Sequence, residues 1–134
     1  MTTPQFNSPD GELREEVAFN TTMGSRFFTG VLASSTIDVE VSIRGGAFTN
    51  DPDLILFDAG TFTVPNPASF PDGLDLLAGD NVIQVRARSL NSVSAPATAT
   101  TTFVEEFSGI DADPPTGISV QRLKDSVVVQ VTQL

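Results

Sequence analysis

The stretch Gly79-Asp80-Asn81-Val82-Ile83-Gln84-Val85-Arg86-Ala87-Arg88-Ser89 decides the fold class. A Gly-Asp turn opens it, and apolar Ile83, Val85 and Ala87 then alternate with polar Gln84, Arg86 and Arg88. A period of two is that of a β-strand with one face on a core and the other in water. Arg86 and Arg88 fall on the wet face, where they are expected to pair with nearby acids; exposed pairs of that kind add little stability.

The pattern continues on both sides. Asn91-Ser92-Val93-Ser94 reads as a hairpin loop and residues 97–104 as the returning strand, whose Thr98-Ala99-Thr100-Thr101-Thr102 run suits a half-exposed edge. Upstream, residues 36–44 place Ile37, Val39, Val41 and Ile43 on one face and Asp38, Glu40, Ser42 and Arg44 on the other, and Gly45-Gly46 ends the strand. Residues 26–32 read as a first strand, 54–57 and 61–64 as two short ones, and 70–77 as a turn followed by an extended stretch. About seven short strands, separated by turns at intervals of roughly 8–12 residues, predict an all-β sandwich.

The composition supports a folded chain and narrows its chemistry. Of 134 residues, 40% are hydrophobic and 18% charged, as in globular domains. No run of about 18 apolar residues is present, so no helical membrane span is expected. Seventeen acids against seven cations give a net charge of −10, which makes nucleic acid and anionic membranes poor partners. The chain contains no Cys and no His, so it supplies neither a disulfide framework nor a Ser-His-Asp triad, a Cys-His pair or a His-ligated zinc. Trp and Tyr are absent too, leaving ten Phe as the only aromatics, whereas carbohydrate sites and receptor hot spots lean on rings with a polar edge. Enzyme is therefore the least supported class, and no cofactor is expected.

Residues 1–25 read as an extended N-terminal arm, punctuated by Pro4, Pro9, Gly11 and Gly24. Within it Asp10 could cap a turn containing Leu13, Val17 and Phe19. Phe6, Phe19 and Met23 are apolar residues in a polar setting; they either pack back on the module or dock onto a neighbouring subunit. The opening Met1-Thr2-Thr3-Pro4-Gln5-Phe6 lacks the basic and apolar regions of a secretory signal, so either the chain folds where it is made or a signal has been removed.

On residues 37–43, 79–89 and 95–104 the chain resembles immunoglobulin-like and fibronectin type III-like modules of bacteriophage virion proteins and bacterial surface proteins. The Cys-Trp-Cys core of antibody domains is missing, and the place of the fibronectin-like corner tyrosine is taken by Asn81. The resemblance implies an immunoglobulin-like β-sandwich over residues 26–107. Asp113-Pro114-Pro115-Thr116-Gly117-Ile118-Ser119-Val120 resembles the opening of a fibronectin type III module, with residues 127–131 as its second strand. Residues 108–134 are thus expected to be a linker and the start of a second β module. Two strands cannot bury a core, so that module would be completed in a longer chain or by strand addition from another, unless the strands simply pack on the first module.

Acidic loops are the remaining candidates for chemistry. Asp51, Asp53 and Asp58 cluster near Pro52 and form the weak calcium candidates, beside Asp72, Asp75 and Asp80, and Asp111 and Asp113. None has the spacing of an EF-hand loop, and aspartate is an ordinary turn former.

The resemblance, the missing cysteines and the absence of a signal together lead to an expected function. It is that of a non-enzymatic bacteriophage virion component (tail, neck, fibre or capsid decoration), assembled in the host cytoplasm. Its partners would be protein subunits of the same assembly, in a homo-oligomer, with Phe6, Phe19 and Met23 docking. The alternative is a spacer or adhesion module of a bacterial cell-surface or secreted protein.

Overall fold

A computed structural model describes residues 1–105; the expected second module at 108–134 lies outside them. Met1–Val104 form one compact unit. The described residues are all-β, with eleven strands: β1 (Gln5–Asn7), β2 (Leu13–Arg14), β3 (Glu16–Thr21), β4 (Ser25–Arg26), β5 (Phe28–Val31), β6 (Asp38–Ile43), β7 (Leu56–Asp58), β8 (Thr61–Val64), β9 (Leu74–Asp75), β10 (Gly79–Arg88) and β11 (Ala97–Phe103).

The stretch that decides the fold becomes β10, at the centre of a four-stranded sheet ordered β3-β11-β10-β6. Its alternation works as the period of two requires: Ile83, Val85 and Ala87 are buried, while Gln84, Arg86 and Arg88 keep partial access to water. Val85 lies opposite both Ala97 on β11 and Val41 on β6, so the apolar rows of three strands coincide. In β6 only Val39 and Val41 of the expected apolar row are buried. Ile37 precedes the strand and is exposed, and Ser42, opposite Gln84 on the outer face, is nonetheless buried and donates to the Gly46 carbonyl at 2.7 Å.

The second sheet has five strands, ordered β2-β1-β5-β8-β7. Phe6, Phe28, Phe62 and Val64 from this sheet join Val17, Val39, Val41, Ile83, Val85, Ala97 and Ala99 from the other in one buried cluster. The two sheets thus face each other across a shared core, in a sandwich-like arrangement. The Phe6 and Phe62 rings meet edge to face at 5.3 Å between centroids, a geometry that adds to their burial. Gly30 permits this approach, because a Cβ there would overlap the Gln5 carbonyl and the Phe62 ring.

Two expectations are corrected. First, residues 1–25 are not an extended arm outside the module. Phe6 sits on β1, which pairs antiparallel with both β2 and β5, and β3 runs parallel to β11 over six residue pairs from Glu16 to Thr21. The cause is burial: Phe6 and Val17 carry apolar area that the module covers, and Phe6 is only 1% exposed. The turn at Asp10 caps no helix. It joins β1 to β2, with the Glu12 amide donating to the Asp10 carboxylate at 3.0 Å. Second, the strand expected over residues 26–32 is two strands. β4 pairs with β9, whereas β5 pairs with β1 and β8. Gly73 lets β9 come this close. Its φ is +94°, and a Cβ there would lie 2.6 Å from the Arg26 backbone, so only glycine suits the position.

Candidate functional site

The strand directions carry exposed apolar side chains to opposite ends of the four-stranded sheet. β3 and β11 finish, and β10 begins, at one end, where Met23 is 66% and Leu77 59% exposed and Val104 is also in water. At the other end β6 begins and β10 finishes, and there Leu90 is 83% and Ile37 57% exposed, with Val93 beside them. The three expected docking residues therefore part company. Phe6 is core and unavailable to a partner, Phe19 is half-buried, and only Met23 stands in water. Leu77 and Leu90 carry no sequence signal because a lone apolar residue beside a turn has no periodicity to mark it, whereas Ile37 fits the apolar row of β6 but precedes the strand and is left in water.

At the first end the entry to β10 is locked by Asn81, which is fully buried. Its amide oxygen accepts from the Leu77 amide at 2.9 Å and from the Arg44 guanidinium at 3.0 Å. Its amide nitrogen lies within donating distance of the carbonyls of Leu77 (2.8 Å), Gly79 (3.1 Å) and Thr101 (3.3 Å). Asn81 thus ties the turn, β10 and β11 together, and a buried polar group so well satisfied is stabilising rather than costly.

Between the two sheets, where β1 and β3 approach β4 and β5, a cleft of about 130 Å³ opens. Phe6, Val17, Phe28 and Ala99 form its apolar lining, with Phe19 and Arg26 also in its wall. The Arg26 guanidinium carbon stands 4.4 Å from the Phe19 ring centroid and 5.4 Å from that of Phe28, both within cation–π range. Arg26 Nε donates to the Phe27 carbonyl at 3.3 Å. Among the described residues no carboxylate pairs with this guanidinium, whereas Arg14, Arg86 and Arg88 all have acidic partners. Burial pushes the Arg26 guanidinium below its ordinary value.

On the outer face of the four-stranded sheet Glu40 serves two arginines, at 2.7 Å to Arg86 Nε and 3.3 Å to Arg88 Nε. The hydrogen bond from Arg86 is the main cause holding the Glu40 carboxyl below its usual range. Arg86 also stacks over the Phe48 ring at 4.0 Å. The expected pairing of both β10 arginines with acids is thus present.

The calcium candidates lie in two separate turns, and two of the three carboxylates accept hydrogen bonds within the fold. Asp51 accepts from the Asp53 amide at 3.0 Å, and Asp53 accepts from the Ser69 hydroxyl at 2.7 Å. Asp58 closes the β7–β8 hairpin opposite Thr61. Among the described residues no three acidic, His or Cys side chains gather in a way that could hold a metal ion, and no helix is long and apolar enough to cross a membrane.

Compared with known proteins, the chain matches no family model and no curated protein.

Proposed function

We propose that the protein is a non-enzymatic structural component of a bacteriophage virion, an immunoglobulin-like module that acts in subunit assembly or as an anchor and spacer. The observation that carries the assembly role is the pair of apolar ends, Met23 with Leu77 and Leu90 with Ile37. Apolar side chains held in water at both ends of a rigid sheet favour end-on contacts with like subunits, because each contact removes that area from water.

The immunoglobulin-like reading draws support from strand order. The series β1-β5-β8-β7 and β6-β10-β11 parallels the A-B-E-D and C-F-G sheets of the immunoglobulin arrangement. β10 then corresponds to strand F, and Asn81 at its start bonds back to the Leu77 backbone, the task of the corner tyrosine in that fold. The cysteine-free sequence suits assembly in a reducing cytoplasm, which favours a virion protein.

Peptide mapping of purified virions tests the assignment. Peptides spanning residues 27–86 are expected at a stoichiometry of many copies per particle, and particles lacking them would overturn it.

A further inference from the structure

We infer that the cleft between β1, β3 and β5 is a receptor for one acidic side chain of a neighbouring polypeptide, with Arg26 as the group that binds its carboxylate. The identity of that neighbour as a virion subunit rests on the proposed function; the carboxylate chemistry rests on the cleft alone.

Three observations converge. A guanidinium offers five N–H donors in a planar fork that matches a carboxylate, and only Nε of Arg26 has an acceptor among the described residues. The fork is held rigidly, with the Phe19 ring at 4.4 Å, the Phe28 ring at 5.4 Å and its backbone clamped against β9. Such preorganisation lowers the entropy lost when a ligand binds. Finally, the cleft beside it measures about 130 Å³, well under the roughly 300–1,000 Å³ of pockets for small-molecule ligands. That space accommodates the methylenes of a single aspartate or glutamate beside the half-buried Phe19 while the carboxylate meets the fork.

The balance of charge agrees. With seventeen acids and seven cations, two like subunits brought together repel each other on average. A cation not already engaged by an acid is then the place where an approaching carboxylate gains most. The half-buried position of Arg26 also makes that pair stronger than one in open water. Arg44, by contrast, already donates to Asn81 and to the Asp75 carbonyl.

The test is an NMR titration of the full chain with N-acetyl-glutamate α-amide at constant ionic strength, reading the Arg26 Nε–Hε resonance and the Phe19 and Phe27 amides. A saturable shift confined to these groups is expected. The Arg26→Lys variant, which keeps the charge but loses the fork, is expected to bind about tenfold more weakly with its other amide resonances unmoved. No saturable shift, or an equal shift with the uncharged N-acetyl-glutamine α-amide, would overturn the inference. The titration is independent of peptide mapping, so a cleft that binds in a protein missing from virions would refute the assembly reading and leave the carboxylate site standing.

Discussion

The corner at Asn81 and the cleft at Arg26 each hold an arginine, exposed Arg44 at the first and half-buried Arg26 at the second, and they are finished differently. At the corner, Arg44 and Asn81 engage each other, and Asn81 also reaches the backbone of Leu77, Gly79 and Thr101. At the cleft, Arg26 has two ring faces and one carbonyl. A polar set closed on itself holds the fold, and its removal is felt as lost stability. One left partly open looks outward, and its removal is felt as lost binding. That difference separates a structural device from a candidate site without any resemblance to a known family.

The largest effect is expected where the cleft meets the core. Phe6→Ala removes a ring that is 1% exposed and packed against Phe62, so it should cost about 3–5 kcal/mol in urea unfolding. A loss under about 1 kcal/mol would mean that residues 1–25 behave as a detachable arm after all. Next comes the closed corner. Asn81→Ala orphans the Leu77 amide and the carbonyls it serves, and should cost about 2–3 kcal/mol. If Asn81→Ala melted like wild type, the contrast between the two regions would collapse.

At the open cleft the same experiment should read differently. Arg26→Gln loses mainly its ring contacts, about 0.5–1 kcal/mol, with the amide spectrum of the four-stranded sheet preserved. A loss as large as that of Asn81→Ala would make Arg26 a structural residue.

The smallest effect is at the β1–β2 turn, which borders the cleft through Ser8 and Pro9. Arg14 donates to both carboxylate oxygens of Asp10, at 3.1 and 2.9 Å, and this pair is the chief cause that lowers the Asp10 carboxyl to about 2 from 3.8. A carboxyl depressed in the folded state stabilises above its unfolded value and loses that contribution as pH falls through its folded value. The turn should therefore keep its geometry down to about pH 4 and loosen between there and about pH 2. NMR titration of the Asp10 carboxyl should show the depressed midpoint, and Arg14→Gln should return it toward 3.8.

Much of the four-stranded sheet was legible because its strands are long enough to display a period. Burial alternates over the last eight residues of β10 and the first four of β6, and a short loop announces the hairpin to β11. The all-β class and the pairing of Arg86 and Arg88 with acids follow from that alternation, whereas the choice of Glu40 as their shared partner is set by the register of β6 against β10. β1 was hidden because three residues, Gln5–Asn7, show a single buried side chain, too few for periodicity. β3 did carry a signal, with Val17 and Phe19 alternating against Glu16, Ala18 and Asn20. Its partner β11 lies some eighty residues away, however, and joins in parallel, so no turn points to the pairing. The cleft was the least legible feature. Phe19 stood out as an apolar residue, but Arg26 reads only as the polar start of a strand. Nothing local reveals that β9, from residues 74–75, pairs with its backbone while its guanidinium lies over the Phe19 and Phe28 rings.

Sedimentation equilibrium of the full chain over a wide concentration range addresses assembly through the apolar ends most directly. The wild type should exceed the 14.2 kDa of one chain as concentration rises, and the double variant Met23→Glu with Leu90→Glu should return to that mass while keeping its fold. A wild type that stays at 14.2 kDa at every concentration, or a double variant that associates equally well, would contradict the account.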